Sequence, residues 1–483
     1  MYTRLNWAHQ WGAFMAGKFN TMKRFGLEGC ESFVPGLKFC IDSAVEEGAR
    51  TFVIGMAHRG RLNTLANVVR KPMEVIMAEF QGITPKQGAE TVLGNAGDVK
   101  YHLGTTFRRR YGDSGHEIKL TLMANPSHLE AVNPCVQGRA RAEQHFLGGK
   151  NEDRKTVVPI VVHGDAAIAG QGIVYECLQM ERLANYTVGG TIHVVINNQV
   201  GFTTTPDRGR SSTYCSEVAT AISAPIFHVN AHCMDDVANT FRIAAQYRQK
   251  FGRDVVIDLV GYRKMGHNEL DQPSYTQPLM YAIVKNMNPV RNVYRQQLLD
   301  QGIPEATLKE VDDKCQAHLN NAYQKSKNLE FDAEEWMDSR WEAIKDPEKY
   351  GKLKDTGVDV GVLREIGNKI TTLPPQGKFH PKIAKIFDDR KKAINEGKGI
   401  DWGTAESLAF ASLVEEGNHV RLSGQDVERG TFSHRHAHVW YQDRDGSYIP
   451  INAMAQENSS RSFVAANSHL SEYAVLGFEQ GYS

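Results

Sequence analysis

The sequence predicts an α/β fold, a parallel sheet flanked by helices, followed by the start of a second α/β domain. Between about residues 50 and 265, short runs rich in β-branched residues alternate with longer segments of helical periodicity. This alternation is typical of a parallel sheet covered on both faces. Four of the runs are apolar enough to be buried strands, at residues 51–56, 157–162, 192–196 and 255–260. Apolar periodicity returns at residues 405–414, which predicts the second α/β domain.

The domain organisation is predicted from length and from changes in composition. A chain of 483 residues exceeds the size at which one hydrophobic core stops growing, so at least two domains are expected. We assign residues 1–290 to a first α/β domain, residues 291–400 to a helical connector and residues 401–483 to the beginning of a second domain. A charged segment with a helical pattern, followed by the Pro374-Pro375 pair, predicts the connector. Because a helical pattern begins only at Ala474, we expect the second domain to be truncated.

The composition excludes several classes of protein. The 56 basic residues balance the 56 acidic residues, so the charge gives no support for a nucleic-acid partner. No stretch approaches the run of about 18 apolar residues that a membrane span requires. The seven cysteines are an odd number without a Cys-x-x-Cys pair, which indicates free thiols rather than disulfides or a zinc site.

The first 27 residues allow two interpretations. They contain four basic residues and no acidic one, a composition that a mitochondrial transit peptide also has. However, Trp7, Trp11, Phe14 and Met15 recur at helical spacing, so we favour a folded amphipathic helix.

Polar or glycine residues follow each of the four predicted strands, at the edge of a parallel sheet where ligands bind. Asp165 follows the second strand, and Asn198 follows the third strand 33 positions later. A carboxylate and an amide so placed are hard oxygen ligands for Mg²⁺, and the carbonyl group of Val200 completes the set. Between them, residues 170–172 (Gly-Gln-Gly) open a helix, whose N-terminus suits a pyrophosphate. The sequence thus predicts a metal and phosphate site.

Gly-Asp followed some thirty residues later by Asn-Asn resembles the thiamine-diphosphate and magnesium motif of transketolase-like enzymes. Further segments resemble one branch, the first component of the 2-oxoglutarate dehydrogenases, at residues 24–29, 58–63, 98–104, 125–130, 266–269, 421–426 and 430–436. Ala166 stands where many members of the wider superfamily have glycine, as is common in this branch. Because members of the branch are longer, the chain resembles a fragment.

The resemblance implies a thiamine-diphosphate-binding fold, with thiamine diphosphate and Mg²⁺ as cofactors. It also implies oxidative decarboxylation of 2-oxoglutarate in the tricarboxylic acid cycle. The succinyl group would pass to a lipoyl group of a partner, dihydrolipoyl succinyltransferase. The implied active form is a homodimer, in the mitochondrial matrix if the source is eukaryotic and in the cytoplasm if it is bacterial.

The resemblance further implies roles for individual residues. Glu472 matches the glutamate that hydrogen-bonds the pyrimidine ring of the cofactor and so helps to activate it. Three histidines match positions that line the substrate pocket of the family: His58, His102 and His267. Imidazoles in a shielded pocket suit a diacid substrate whose charge increases as it is attacked.

Two further residues match cofactor-contacting positions of the family, Arg59 and Gln425. The guanidinium group of Arg59 is suited to phosphate oxygens. Asp165, Asn198 and Val200 are predicted to contact both the cofactor and the metal. His128 lies in one of the matching segments, where a structural role is equally compatible with the pattern.

Two alternatives remain at this point. A 2-oxoadipate dehydrogenase would act on a substrate longer by one methylene group, a difference worth only a few kcal/mol in a pocket. The segment at residues 61–67 is more similar to the oxoglutarate branch. From a different class, the chain would be a non-catalytic, cofactor-binding fragment.

Overall fold

The computed structural model of the chain describes residues 1–83, 102–111, 115–147, 154–331, 356–455 and 462–483. The chain divides into two compact units, one formed by Met1–Arg340 together with Gly477–Ser483, the other by Trp341–Leu476. No helix in these described ranges is long and apolar enough to cross a membrane.

Seven strands form one sheet in the described part of the first unit. They are β1 (Thr51–Met56), β2 (Thr105–Tyr111), β3 (His116–Leu122), β4 (Val157–Gly164), β5 (Ile192–Asn197), β6 (Ile226–Asn230) and β7 (Val255–Val260). The spatial order is β2-β3-β1-β4-β5-β7-β6, and every neighbouring pair is parallel except the antiparallel pair β2–β3. This arrangement confirms the predicted α/β fold class. The four strands predicted from sequence are β1, β4, β5 and β7.

Helices accompany this sheet throughout the first unit. They are α1 (Tyr2–Lys18), α2 (Phe33–Glu46), α3 (Arg61–Asn67), α4 (Met73–Phe80), α5 (Val132–Phe146), α6 (Asp165–Gly170), α7 (Gly172–Gln179), α8 (Pro206–Gly209), α9 (Met234–Phe251), α10 (Pro278–Val284), α11 (Val290–Asp300) and α12 (Glu305–Ser326). In the described residues of this unit, 3₁₀ helices lie at Cys215–Ile222 and Pro273–Tyr275.

Helices cover both faces of the sheet, as alternate residues of β1 show. Phe52 and Ile54 belong to the main core cluster with residues of α2 and α9, whereas Val53 packs with residues of α5. Successive side chains of a strand point to opposite faces, so α5 lies opposite α2 and α9. Helices α2 and α9 are in close contact, because a Cβ atom at Gly36 would lie 2.9 Å from the ring of Phe241.

The predicted amphipathic helix is confirmed as α1, whose inward-facing side chains are buried: Leu5, Ala8, Trp11, Phe14 and Met15. These residues join the main hydrophobic core of the first unit. Their burial explains the helical spacing of aromatic residues in this part of the sequence.

The structure divides the predicted connector, residues 291–400, between the two units. Tyr294, Leu308 and Leu319, from α11 and α12, are buried in the main core of the first unit. Helices α13 (Val360–Ile370) and α14 (Pro381–Glu396) instead contribute Ile366 and Ile394 to the core of the second. Each helix carries a narrow apolar stripe under a charged surface, so the charged composition concealed its packing. Residues 332–355 lie outside the described ranges.

In its described part, the second unit combines helices with two short pairs of strands. Its remaining elements are α15 (Trp402–Glu415), β8 (Val420–Gly424), β9 (Val439–Trp440), β10 (Ser447–Tyr448), a 3₁₀ helix at Pro450–Met454 and β11 (Phe463–Asn467). Strands β8 and β11 are parallel, and β9 and β10 are antiparallel. The last helix, α16 (Tyr473–Tyr482), begins in this unit, and its residues from Gly477 onward belong to the first.

Candidate functional site

A cavity of about 280 Å³ lies at the carboxyl ends of the central strands. Strands β1 and β4 are neighbours in the sheet. After β1 the chain continues towards the edge formed by β3 and β2, whereas after β4 it continues in the opposite direction, towards β5. Neighbouring strands whose connections diverge leave a crevice at their carboxyl ends, where α/β proteins bind ligands. Six of the nine predicted site residues line the cavity: His58, Arg59, Asp165, Asn198, Val200 and His267.

Asp165 is the first residue of α6, directly after β4, and its side chain is buried. Its Oδ2 atom lies 3.9 Å from Nη1 of Arg210. Burial raises the pKa of Asp165 to about 6, although the positive charge of Arg210 opposes the rise. A bound cation would stabilise the ionised form of this buried carboxylate.

Asn198 and Val200 reach the same cavity through a tight turn after β5. The amide oxygen of Asn198 lies 3.4 Å from the backbone nitrogen of Val200, which donates to it. Between them, Gln199 has a positive φ of 62°, a left-handed conformation that reverses the chain. A Cβ atom at Gly201 would lie 2.5 Å from the Cβ atom of Ala166. The glycine at 201 thus lets this turn approach the start of α6 closely, beside an alanine at 166.

His58 and His267 face each other at one end of the cavity. Their ring centroids are 5.5 Å apart, and the rings of Phe25 and Phe202 lie 4.3 Å from His58 and 4.0 Å from His267 respectively. Burial, followed by the positive charge of Arg59, lowers the pKa of His58 to about 3 and that of His267 to about 4. Both imidazoles are therefore neutral at physiological pH and can donate or accept hydrogen bonds.

His102 is half-buried and lies outside the residues that line the cavity, but its charge contributes to the lowered pKa of His58. The segment that precedes it, residues 98–101, lies outside the described ranges.

The guanidinium group of Arg59 connects two loops at the rim of the cavity. It donates hydrogen bonds to the carbonyl oxygens of Gly26, at 3.1 Å, and His267, at 2.7 Å. Burial lowers the pKa of Arg59 to about 10, which leaves it charged at neutral pH. Arg59 therefore lines the cavity and also fixes the loop that carries His267.

The other two predicted residues belong to the second unit. Gln425 is half-buried in the turn that follows β8. Glu472 is exposed directly before α16, where its carbonyl oxygen accepts a hydrogen bond from the backbone nitrogen of Leu476 at 3.0 Å.

Three residues near the cavity were not predicted from sequence. Arg263 donates hydrogen bonds to the carbonyl oxygens of Phe202, at 2.9 Å, and Met265, at 3.1 Å. Its position three residues after β7 was a usable signal, because ligand-binding residues follow the ends of parallel strands. Arg210 and Phe202 come from the long connection between β5 and β6, where no pattern in the sequence identifies them.

Comparisons with known proteins agree with this geometry. Residues 9–334 match the family model described as "Dehydrogenase E1 component", and residues 398–483 match "Transketolase, pyrimidine binding domain". The chain is 48% identical over 488 aligned positions to "2-oxoglutarate dehydrogenase, mitochondrial" of Dictyostelium discoideum, covering 99% of this chain and 47% of the relative.

Two other relatives give a similar result. The protein of the same name from Schizosaccharomyces pombe is 46% identical, covering 100% of this chain and 48% of its own length. The "2-oxoglutarate dehydrogenase E1 component" of Brucella anthropi is 43% identical, covering 97% of this chain and 47% of its own length. The chain thus spans about half the length of the curated relatives it matches. Since one family model matches residues 9–334, about two thirds of the chain, this protein belongs to the dehydrogenase E1 component family.

Proposed function

We propose that this chain is part of a thiamine-diphosphate- and Mg²⁺-dependent dehydrogenase that oxidatively decarboxylates 2-oxoglutarate in the tricarboxylic acid cycle. The observation that carries the proposal is the meeting of Asp165, Asn198 and Val200 in one cavity at the diverging connections of β1 and β4. The printed names of the relatives support the choice of substrate.

The donor set of the cavity fits Mg²⁺. Asp165 supplies a carboxylate, Asn198 an amide oxygen and Val200 a backbone carbonyl, all hard oxygen ligands that leave further positions for phosphate. In the described residues, no group of three or more His, Cys, Asp or Glu side chains is arranged to hold a metal ion. A site with one carboxylate is consistent with a metal that also binds phosphate oxygens, because the phosphate supplies the remaining negative charge.

The backbone beside Asp165 fits a diphosphate. A Cβ atom built at Gly164, Gly170 or Gly172 would meet no atom within 4 Å, so there is open space along this backbone. Gly172 begins α7, and the N-terminus of a helix attracts anions. We infer that residues 1–290 contain the diphosphate-binding domain and residues 401–483 part of the pyrimidine-binding domain.

When bound, thiamine diphosphate supplies the carbon nucleophile that attacks the keto group and accepts the electron pair left behind by carbon dioxide. The contribution of the chain is to bind and shield the reactants. Neutral His58 and His267 are placed to donate hydrogen bonds to substrate oxygens. The rings of Phe25 and Phe202 pack against them and limit the access of water.

Residues of the second unit complete the proposed function. We infer that Glu472 hydrogen-bonds the pyrimidine ring of the cofactor, that Gln425 contacts the cofactor, and that His102 contacts the substrate. The proposed active form is a homodimer, and its partner is a lipoyl-bearing dihydrolipoyl succinyltransferase that accepts the succinyl group. The names of the eukaryotic relatives support a mitochondrial location, proposed as the matrix, whereas a bacterial protein would be cytoplasmic.

The function is tested by measuring carbon dioxide release from 2-oxoglutarate and from 2-oxoadipate, with ferricyanide as the electron acceptor, on the full-length protein. We expect 2-oxoglutarate to be preferred and Asp165→Ala to abolish the release. The exposed residue Asp207, in α8, provides the control Asp207→Ala, which should retain activity. A preference for 2-oxoadipate would instead indicate a 2-oxoadipate dehydrogenase. If neither substrate reacts although thiamine diphosphate binds, a non-catalytic binding role replaces the dehydrogenase.

A further inference from the structure

A second cavity, of about 530 Å³, lies in the first unit between the start of α1, the end of α3 and the start of α4. We call it the basic cavity, and its charged or aromatic lining residues are Arg4, Trp7, Arg70, Lys71, Glu74 and His318. None of these residues lines the cavity that contains Asp165. Its volume is in the range of small-molecule binding sites.

The arginines of the basic cavity form no ion pair in the described part of the chain, and the one carboxylate that raises the pKa of Arg4 and of Arg109, that of Asp42, is already paired with Lys38. Neither Arg4 nor Arg70 makes an ion pair or a side-chain hydrogen bond with a described residue, and neither does Arg109, on the neighbouring strand β2. The positive charges of Arg70 and Arg109 lower the pKa of Arg4, after the larger effect of burial. Like charges at close range that are only partly compensated are costly in a folded protein. An anion between them would remove that cost.

The two other charged groups of the basic cavity do not cancel this excess. Lys71 is buried and pairs with Glu79 at 2.5 Å. Among the described residues, Glu74 is the one carboxylate that lines the cavity, and it is in the first turn of α4. Counting Arg4, Arg70 and Glu74, with the Lys71–Glu79 pair taken as neutral, the described lining residues carry a net charge of +1, to which Arg109 adds another.

The helix that begins at this cavity adds a further positive potential. Helix α4 starts at Met73, and no side chain caps its N-terminus. The first backbone N–H groups of a helix have no intrahelical partner, and the helix dipole is positive at this end. Pro72 and Met73 line the cavity, so this end of the helix faces the same space as the arginines.

The backbone and the aromatic residues define the shape of the site. Arg70 has a positive φ of 51°, a strained conformation for a residue with a side chain, which persists only where the surroundings impose it. The rings of Trp7 and His318, which also line the cavity, lie 5.1 Å apart, edge to face. The basic cavity is thus lined by both cationic and aromatic side chains.

We propose that the basic cavity is a binding site for a small anion with two or more phosphate groups, held by Arg4, Arg70 and the N-terminus of α4. Planar guanidinium groups bind phosphate oxygens in pairs, which favours phosphate over a single carboxylate. This site is separate from the proposed cofactor site and does not depend on the proposed function.

The test is calorimetric titration of the full-length protein with tripolyphosphate, in metal-free buffer, with citrate as a second probe of similar charge. We expect tripolyphosphate to bind, and the double variant Arg4→Gln/Arg70→Gln to weaken binding by about 100-fold, because two charge-assisted contacts are lost. The matched control is Arg242→Gln, at an exposed arginine of α9 that donates a hydrogen bond to Asn239, and this variant should bind within twofold of the wild type.

Three results would overturn the proposal: no binding by the wild type, undiminished binding by the double variant, or equal binding of citrate. Asp165→Ala separates this site from the cofactor site, since it should leave the affinity for tripolyphosphate unchanged. If Asp165→Ala changes the affinity, as loss of a neighbouring negative charge would for a polyanion bound beside it, the probe occupies the cofactor site and the basic cavity is not its site. The single variant Arg70→Gln, at an exposed position, gives the same comparison if the double variant does not fold.

Discussion

The Nε2 atom of His163 lies 2.9 Å from the Nδ1 atom of His193, and one of the two nitrogens donates to the other. The remaining nitrogen of each ring meets a buried carboxylate, Glu130 at 2.6 Å and Asp254 at 3.3 Å. His163 lines the cavity that contains Asp165, yet both of its nitrogens are already hydrogen-bonded. It is therefore a structural histidine, unlike His58 and His267.

This chain of four buried groups predicts a large loss of stability when its centre is removed. His193→Phe leaves His163 without its second partner and Asp254 without its imidazole. We expect the free energy of unfolding to fall by about 3 kcal/mol, because unpaired buried charged groups are costly. Urea denaturation measures this difference. The control is His116→Phe at an exposed position, expected within about 0.5 kcal/mol of the wild type. Equal losses in the two variants would contradict the account.

The buried carboxylate of Asp165 predicts a substitution that stabilises the metal-free protein. Its folded-state pKa of about 6 exceeds the value of about 3.9 in an unfolded chain. Between these values the folded chain binds the extra proton, so stability falls as the pH rises through this window. Asp165→Asn removes the ionised group and should raise the free energy of unfolding by up to about 3 kcal/mol at pH 8.

The same substitution should have little effect at pH 4, where the native carboxyl group is protonated in the folded state. Urea denaturation of the metal-free protein at both pH values gives the comparison. A loss of stability at pH 8 would show that the carboxylate is compensated within the chain and does not await a cation. If the carboxylate does bind a cation, addition of Mg²⁺ with thiamine diphosphate should stabilise the wild type and not the Asp165→Asn variant.

The two facing histidines predict an absence of titration at physiological pH. Because the pKa values of His58 and His267 are about 3 and about 4, both rings should stay neutral from pH 5 to 8. The unfolded chain binds protons at these positions near pH 6.5, so their contribution to stability is lost as the pH falls below that value. NMR of ¹⁵N-labelled imidazoles follows the protonation of each ring separately. A midpoint near 6.5 for His58 would contradict the burial described here.

Close packing at the C-terminal residues of the first unit predicts opposite effects for two glycine substitutions. A Cβ atom at Gly481 would lie 2.0 Å from the carbonyl oxygen of Cys135 in α5. Gly481→Ala should therefore destabilise the protein by about 1–3 kcal/mol. A Cβ atom at Gly17, in α1, would meet no atom within 4 Å, so Gly17→Ala should stabilise by about 0.5–1 kcal/mol. Thermal unfolding measures the change in stability of each variant. If both variants were stabilised, or both destabilised, the result would contradict this packing.

The central strands of the fold were predictable because both of their faces are covered. In β1 every residue from Thr51 to Met56 is buried, which gives the continuous apolar run seen in the sequence. The edge strands β2 and β6 were missed, and so was β3, which lies between β2 and β1. Strand β2 contains three consecutive arginines, Arg108 to Arg110, and half-buried residues, since an edge strand needs to bury only part of its surface. A run of this kind does not differ from a loop in local composition.

The candidate site was predictable where a residue follows directly from a strand end. Asp165 and Asn198 are adjacent to β4 and β5, so strand positions alone bring them together. Arg210 lies close to Asp165 only because the long connection after β5 folds back. The contact of Gly201 with Ala166 likewise depends on tertiary packing, which no local pattern contains.

The most direct test of the account is the position of a metal ion in crystals of the full-length protein grown with thiamine diphosphate and Mn²⁺ in place of Mg²⁺. Anomalous scattering locates the manganese independently of the surrounding electron density. The account predicts a peak about 2–2.3 Å from a carboxylate oxygen of Asp165, with oxygens of Asn198 and Val200 also in contact. A peak bound by other residues, with Asp165 still paired only with Arg210, would contradict the proposed cofactor site.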